Sequence, residues 1–534
     1  DDGFLHAARN HGGRRIPRVS GGMGRAPVTV RHYDVAIVGA GAGGGTVAQA
    51  LAPMIATGKR IVVFEQGPRF RDDEFTGHEV EMARALYAEG GAFLTEDGTM
   101  TLAFARGYGG STIVYTGTSL IAPKRVIEQW RVPGLIYSDL ETRSRRYMAE
   151  NNVHLLPPDL INDNNRLFVL GCANAGYHAE QFPLNLKGCR GSSLCNMGCP
   201  NAAKQGTNRV QLPNAERQGV EVVTRAEVRR LGEQRLWVRV GAAMPGEKGA
   251  TSEWAPGGYE VTAEIVVLSG GTMGTPPLLL RSELPNLPSR VGEGFTCHPA
   301  HILVGQHPGP ITNDVGHPKS FYLDRGADEG FVLETCMYFP FTTAKNLTGF
   351  GPEHSGFMRA FDRLQMILVL ACDKATPGNR VSVSQTGEPM VHYTFTPEVI
   401  AATVRATRTA ARIFFAAGAV RVHAPSANPP VVERSDADRI DELISERHFL
   451  PGTISISAAH LMGGSAMGAS ASDSVTDGWG RVHGRPWLRI ADASLFPNAV
   501  EINPYLTIMG LADRVAEGVM REWGQGLAPG RSVW

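Results

Sequence analysis

The sequence YDVAIVGAGAGGGTVAQAL spans Tyr33–Leu51 and shows most directly how this chain begins to fold. Its first part is an apolar run rich in β-branched residues, which is typical of a buried parallel strand. Gly39, Gly41 and Gly44 then form the pattern G-x-G-x-x-G, and apolar residues follow at helical spacing. Strand, glycine-rich turn and helix in this order predict an α/β unit that binds a dinucleotide.

The residue types of this unit suit a dinucleotide for physical reasons. The first glycine allows a tight turn, and the second lets the backbone approach a pyrophosphate at the helix N-terminus. A second apolar run ends at Glu65, which lies 21 residues after Gly44 and can bind a ribose hydroxyl. The alternative is a glycine-rich turn without a ligand. This unit alone does not separate FAD from NAD.

Length and charge limit the remaining possibilities. With 534 residues, the chain is too long for one compact core, so we expect at least two domains. Lys plus Arg equals Asp plus Glu at 52 each, so the composition provides no overall attraction to nucleic acid or to anionic membranes. We therefore expect no nucleic-acid partner.

The chain carries no stretch of 18 uninterrupted apolar residues, so we predict no transmembrane helix. Residues 1–29 are rich in Gly and Arg and should form an N-terminal arm. The Arg14–Arg15 pair is not followed by an apolar segment, so this arm does not read as a signal peptide. We expect a soluble protein of the cytoplasm or periplasm.

Four further stretches accompany the dinucleotide unit. They are RGYGGSTIVYTG at 106–117, GGTMGTPPLLLRS at 270–282, AAHLMGGSAMG at 458–468 and DASLFPNAVEINPYLTIMGLADRVA at 492–516. In this order they resemble the glucose–methanol–choline (GMC) oxidoreductase family over about 33–519. The NPYLTI form and a cysteine-containing loop resemble the cholesterol-oxidase and long-chain-alcohol-oxidase branches most.

This resemblance implies an α/β fold, α+β overall, in which a Rossmann-like domain binds FAD. A second, substrate-binding domain should be built on an antiparallel or mixed sheet with helices. We place the FAD-binding domain at 30–125, 206–300 and 460–534, and the substrate-binding domain at 126–205 and 301–459. The stretch 106–117 contains no histidine of the kind that attaches FAD covalently in some members. We therefore expect noncovalent FAD.

The resemblance and the residue types together predict the cofactor-binding set. The small residues Gly109, Gly110 and Ser111 allow backbone amides to reach a phosphate or the flavin edge. In the family, Val228 falls where backbone groups hold the adenine, and Asp492 falls beside the ribityl chain and pyrophosphate. The full predicted set is Gly39, Gly41, Gly44, Glu65, Gly109, Gly110, Ser111, Val228, Asp492, Ala493, Asn503 and Pro504.

The resemblance places His460 above the reactive edge of the flavin, with Asn503 as the second polar residue. Oxidation of an alcohol by a flavin removes a proton from oxygen and a hydride from carbon. Histidine suits the proton transfer because its pKa lies near neutrality. The amide of Asn503 can orient the hydroxyl or stabilise charge that develops on it. Taken alone, His460 could instead be a structural histidine.

These features predict FAD-dependent oxidation of an alcohol to a carbonyl compound, with electrons passed to oxygen, a quinone or a cytochrome. The sequence does not identify the alcohol and does not separate an oxidase from a dehydrogenase. A lyase of the hydroxynitrile-lyase or photodecarboxylase kind is the main alternative, because the family contains both. A non-catalytic flavin-binding protein is a third possibility.

Cys189, Cys195 and Cys199 lie in one loop with the spacing C-x5-C-x3-C-P. Three thiolates in such a loop could ligate an iron–sulfur cluster. The loop could also contain a disulfide, or it could be structural with free thiols, which is the interpretation we favour.

The segment Cys297–His301, with the sequence CHPAH, has two histidines at a spacing that suits a metal poorly after a proline. We interpret it as a structural segment at the domain border and predict no metal site.

Overall fold

The computed structural model describes residues 29–347, 349–426 and 431–524. The expected N-terminal arm at 1–29 lies outside the described residues except for Thr29, which begins the first strand. The last ten residues of the expected FAD-binding segment, 525–534, also lie outside them. Two large sheets organise the described part of the chain.

The first sheet has a parallel centre. Thr29–Val38 pairs in parallel with Ile61–Phe64 on one side and with Gly257–Leu268 on the other. The end of Gly257–Leu268 also pairs in parallel with Leu488–Ile490, and its beginning pairs antiparallel with Arg235–Val240. The seven strands of this sheet are Thr29–Val38, Ile61–Phe64, Glu221–Val223, Ala226–Gly232, Arg235–Val240, Gly257–Leu268 and Leu488–Ile490.

The second sheet is mostly antiparallel. Its centre is Leu364–Ala371, which pairs with Ala300–Gln306 and with Phe331–Thr335. The ten strands are Phe93–Leu94, Met100–Leu102, Glu180–Gln181, Ala300–Gln306, Phe321–Arg325, Phe331–Thr335, Leu364–Ala371, Arg421–His423, Val431–Glu433 and Ile456–Ala458. Two small hairpins pair Val153–His154 with Leu184–Asn185 and Arg380–Val383 with Pro389–His392.

Helices cover both sheets. The α-helices are Ala42–Leu51, Glu79–Leu86, Lys124–Gln129, Tyr137–Glu150, Asp163–Asn174, Gln211–Arg217, Thr275–Arg281, Gly326–Glu329, Pro340–Asn346, Pro352–Arg359, Pro397–Ala416, Ile440–Leu443 and Tyr505–Glu522. The 3-10 helices are Ala52–Thr57, Asp72–Glu74, Ala88–Gly91, Gly110–Ile113, Pro158–Leu160, Phe361–Arg363, Arg434–Arg439, Glu446–His448 and Ala493–Leu495.

The N-terminal unit forms as its residue pattern predicts. The strand Ile61–Phe64 is buried along its whole length, as a run of apolar residues in the middle of a parallel sheet requires. The helix that follows the glycine-rich turn ends at Leu51, and Pro53 lies in the first turn of the 3-10 helix that continues it. The predicted α/β fold with a second, mostly antiparallel sheet is confirmed.

The chain crosses between the two sheets at several points. The helix Tyr137–Glu150 packs against Tyr505–Glu522, and its Leu140 belongs to the core of the first sheet, although the expected boundaries assign it to the substrate-binding domain. Conversely, the strands Phe93–Leu94 and Met100–Leu102 belong to the second sheet, although the expected boundaries assign them to the FAD-binding domain. No helix in the described ranges is long and apolar enough to cross a membrane.

Candidate functional site

A cavity of about 520 Å³ is lined by residues from both sheets. Most of the residues that the sequence predicts for the site line this cavity. They are Gly39, Gly41, Glu65, Gly110, Ser111, Val228, His460, Asp492, Ala493, Asn503 and Pro504. Gly44 and Gly109 belong to the predicted set but do not line the cavity. The structure therefore brings together residues that lie more than 400 positions apart in the chain.

The glycines of the first turn allow backbone segments to touch. A Cβ atom on Gly44 would lie 1.8 Å from the carbonyl oxygen of Gly39, so this glycine permits close packing inside the turn. A Cβ atom on Gly110 would lie 2.7 Å from the Cα atom of Gly41. The two glycine-containing loops thus meet at the cavity without side chains between them, which leaves room for a pyrophosphate at the backbone.

Glu65 lies at the end of its strand, where a ribose is expected. Its carboxylate accepts hydrogen bonds from the backbone N–H groups of Ala40 at 2.9 Å, Gly67 at 2.9 Å and Gly107 at 3.2 Å. Burial raises the pKa of Glu65, and these three bonds oppose that effect. A carboxylate offers about four acceptor positions, so capacity for one ribose hydroxyl remains.

Asp492 uses its carboxylate within the protein. One oxygen accepts from the N–H and the hydroxyl of Ser494 at 2.8 and 2.6 Å, and the other accepts from Gly271 N–H and the Thr275 hydroxyl at 2.8 and 2.6 Å. The side chain therefore fastens the 270–275 turn, and its backbone is the part that remains for a cofactor. Val228 lies on the edge strand Ala226–Gly232, next to an irregularity in its pairing.

Lys204 is a structural residue of the site that the sequence analysis missed. Its ammonium donates to the backbone carbonyls of Ile113 at 2.6 Å, Tyr115 at 2.7 Å and Cys195 at 2.6 Å. Burial lowers the pKa of Lys204 to about 8. Three carbonyl partners hold this cation, and they join the turn after Gly110 to the cysteine-containing loop.

The cysteine-containing loop carries Cys189, Cys195 and Cys199 as free thiols. Burial raises the pKa of Cys195 to about 12, which keeps this thiol protonated. Within the described residues, no three His, Cys, Asp or Glu side chains are arranged to hold a metal ion. The loop serves in this structure as a partner of Lys204.

His460 and Asn503 meet in the cavity. The amide nitrogen Nδ2 of Asn503 lies 3.3 Å from Nε2 of His460. The other ring nitrogen of His460, Nδ1, lies 2.9 Å from Nδ1 of His298. His460 opens onto the cavity but is enclosed deep in the protein, and this loss of hydration, with His298 and Lys319 nearby, holds its pKa well below the ordinary value. His460 is therefore a neutral base near pH 7.

A buried ion pair supports Asn503. Glu334 accepts a hydrogen bond from Asn503 Nδ2 at 3.3 Å, and its other oxygen pairs with the ammonium of Lys319. Both charged side chains are at most 9% exposed, so removal of either one would leave the other as a buried charge without its partner. The sequence does not indicate this pair, because its members lie in the middle region without a recognisable motif.

The segment Cys297–His301 has a different role from the one its sequence suggests. His298 contacts His460, so it belongs to the site rather than to a border segment of purely structural use. The ring nitrogen Nε2 of His301 instead lies 3.1 Å from the hydroxyl of Thr407, inside the second sheet's core. The two histidines thus have separate surroundings.

The chain is similar to several known proteins over most of its length. Models of the GMC oxidoreductase family match residues 83–300 and 375–512. An uncharacterised GMC-type oxidoreductase of Mycobacterium tuberculosis is 32% identical over 92% of this chain and 76% of its own length. A long-chain-alcohol oxidase of Arabidopsis thaliana is 23% identical over 93% of this chain and 69% of its own. A cholesterol oxidase of Mycobacterium tuberculosis is 23% identical over 91% and 90%.

A solved structure shows the same fold. Pyridoxine 4-oxidase from Mesorbium loti superposes with a TM-score of 0.68 at 16% identity, covering 93% of this chain and all of that one. At this identity the likeness concerns the arrangement of the backbone, and the chemistry has to be argued from the residues of this chain.

Proposed function

The chain belongs to the GMC oxidoreductases, a family of FAD-dependent enzymes, and we propose that it oxidises an apolar alcohol to the carbonyl compound. The observation that carries this proposal is the neutral imidazole of His460, which faces the cavity beside the amide of Asn503. The close approach of the glycine-containing loops and the carboxylate of Glu65 support FAD binding at this end of the cavity, with the phosphates at the loops and a ribose at Glu65. The relatives whose printed names state an activity are oxidases, which disfavours a lyase.

Each residue has one task in the proposed reaction. Bound FAD supplies the acceptor for the hydride that leaves the alcohol carbon. His460 takes the hydroxyl proton on Nε2, which is possible because burial keeps this ring unprotonated. One hydrogen of Asn503 Nδ2 faces Glu334 and the other faces Nε2 of His460, so an alcohol oxygen that enters between Asn503 and His460 would accept the second hydrogen and be oriented by it. With the hydroxyl proton held on His460, loss of the hydride from the same alcohol would turn the carbon–oxygen single bond into a carbonyl.

The cavity lining favours an apolar substrate. Beyond the polar group at His460, the walls from the second sheet carry Ile302, Leu368 and Leu370, and the segment that follows the strand Phe331–Thr335 adds Met337 and Phe339. These apolar side chains cannot bond to the hydroxyl groups of a sugar, whereas they can replace water around an alkyl chain. The names of the alcohol-oxidising relatives support the same substrate class.

We expect the specificity constant for straight-chain primary alcohols to rise with chain length. Each methylene that enters an apolar cavity contributes about 0.8 kcal/mol, which corresponds to roughly a fourfold increase in kcat/KM. The rise should stop when the chain fills the cavity. The measurement is anaerobic bleaching of the flavin band with alcohols from butanol to hexadecanol, with glucose and choline as polar controls.

The same preparation tests the electron acceptor, which we propose is oxygen because the named relatives are oxidases. Oxygen consumption with a reactive alcohol should then match product formation. If product forms only when a quinone or cytochrome is added, the enzyme is a dehydrogenase and not an oxidase. A flavin that dithionite reduces but no alcohol bleaches would contradict the proposed function and would bring the lyase back into consideration.

A further inference from the structure

We propose that His298 is a positioning residue that fixes the tautomer of His460 and thereby leaves Nε2 of His460 as the free base toward the substrate. The inference rests on the proposed function for its kinetic consequence. The tautomer itself follows from three contacts that are independent of any substrate. No motif in the sequence assigns this role to His298, which lies 162 residues before His460.

The first contact sets the protonation of His298. Its Nε2 lies 2.5 Å from the backbone carbonyl oxygen of Val500. A carbonyl oxygen has no proton, so Nε2 of His298 must carry one and donate it. Burial lowers the pKa of His298 to about 4, so the ring is neutral near pH 7 and its Nδ1 has a free lone pair.

The second contact passes this constraint to His460. The two Nδ1 atoms are 2.9 Å apart, so one must donate and the other must accept. Since Nδ1 of His298 is the acceptor, Nδ1 of His460 carries the proton. A neutral His460 then has its lone pair on Nε2. The third contact agrees with this tautomer, because Nδ2 of Asn503 is a donor and lies 3.3 Å from Nε2.

The backbone holds the two histidines opposite each other. Two residues from each histidine, Thr296 and Met462 exchange both of their backbone hydrogen bonds at 2.9 Å. On the other side, Ala300 pairs with Ser457, where the strands Ala300–Gln306 and Ile456–Ala458 meet in the second sheet. His298 is thus fixed between two pairings to the segment that carries His460. This arrangement gives the contact between the two rings a rigid support.

Loss of the acceptor would favour the wrong tautomer. A neutral imidazole can carry its proton on either nitrogen, and without His298 the Nδ1 proton of His460 would be buried without a partner. Asn503 has a buried Oδ1 for which the described residues provide no hydrogen bond. After rotation of its amide, this oxygen could accept a proton from Nε2 of His460. Nε2 of His460 would then already carry a proton and could not take one from the substrate.

Two substitutions separate this role from simple packing. His298→Leu keeps a similar volume but offers no acceptor, and His298→Asn keeps an oxygen that can accept from Nδ1 of His460. We expect His298→Leu to slow flavin reduction by an alcohol by about 100-fold or more, which is the range of a lost general base. His298→Asn should stay within about tenfold of the wild type. FAD content and thermal midpoint are measured for both proteins.

Nitrogen NMR of the holoenzyme labelled with 15N-histidine determines the tautomers of His460 and His298 without any substrate. His460 and His298 signals are assigned by their loss in His460→Gln and in His298→Asn. We expect the wild type to carry its protons on Nδ1 of His460 and on Nε2 of His298, and His298→Leu to move the His460 proton to Nε2.

A wild-type His460 protonated on Nε2 would overturn the inference, as would a His298→Leu enzyme with wild-type reduction rates. If His298→Leu loses FAD or fails to fold, the wild-type spectrum and the rate of His298→Asn still decide. If no alcohol reduces the wild-type flavin, the proposed function fails, whereas the spectrum continues to test the tautomer.

Discussion

The groups around His460 keep its imidazole unprotonated, so that it is available to take a proton. An exposed histidine would be partly protonated below pH 7, whereas enclosure in the protein, the ring of His298 and the charge of Lys319 all disfavour the protonated form of His460. Glu334 offsets the charge of Lys319 and accepts a hydrogen bond from Asn503. The ion pair therefore acts on both polar residues that face the cavity, on Asn503 through this bond and on His460 through the charge of Lys319.

The ion pair leads to a prediction about pH. Protonated His460 cannot accept a proton, so flavin reduction should fall as the pH drops through the pKa of His460, well below 6.5 in the wild type. Lys319→Gln removes a positive charge, keeps a donor for Glu334 and should raise that pKa. We expect the acidic limb of the rate–pH profile to move to higher pH in Lys319→Gln.

Stopped-flow reduction between pH 4 and 8 measures this limb. Lys345→Gln is the matched control, because Lys345 also lines the cavity but does not contribute to the lowered pKa of His460. An acidic limb that stays at the wild-type pH in a folded, FAD-loaded Lys319→Gln protein would show that Lys319 does not tune the base.

Secondary-structure elements whose formation depends on neighbouring residues could be predicted from the sequence. The strand, turn and helix from Tyr33 to Leu51 depend on periodicity and on glycines within one unit, and they form as predicted. The helix Pro397–Ala416 similarly begins after the N-cap Thr396, whose side chain accepts from Val399 N–H, and ends before Gly418 with φ of +101°.

Other elements depend on partners that are remote in sequence, and the sequence did not reveal them. The pairing of Thr296 with Met462 joins positions 166 residues apart, so no local pattern predicts that His298 will contact His460. The ion pair between Lys319 and Glu334 likewise requires two neighbouring segments of the second sheet to come together.

The contact between the glycine-containing loops allows a test at this scale. Gly110→Ala introduces a Cβ atom 2.7 Å from the Cα of Gly41 and should separate the loops, so we expect loss of bound FAD from the purified protein. Gly58→Ala is the control, because Gly58 also has a positive φ, +89°, but has no atom within 4 Å of the added Cβ.

Gly58→Ala should cost about 1–2 kcal/mol of folding stability, owing to the left-handed backbone, and should retain FAD. The flavin-to-protein absorbance ratio after gel filtration and the thermal midpoint distinguish the two effects. Full FAD occupancy in Gly110→Ala would contradict the assignment of these loops to the cofactor.

In the whole molecule, the two sheets supply different halves of the site. The loops of the first sheet bring the glycines and Glu65, and the second sheet brings the apolar walls. The second sheet also carries Glu334, which binds Asn503 behind the cavity wall. His460 follows the last strand of the second sheet, Ile456–Ala458, and Asn503 precedes the helix Tyr505–Glu522. The sequence did not indicate the apolar walls, because the side chains that form them come from strands that are distant in the chain.

The most direct measurement is anaerobic stopped-flow reduction of the flavin by a long-chain primary alcohol in the wild type and in His460→Gln. The substituted side chain has a similar size and polarity but cannot take a proton. We predict full bleaching in the wild type and a rate about 100- to 10,000-fold lower in His460→Gln at equal FAD content. Equal rates in the two proteins would contradict His460 as the base.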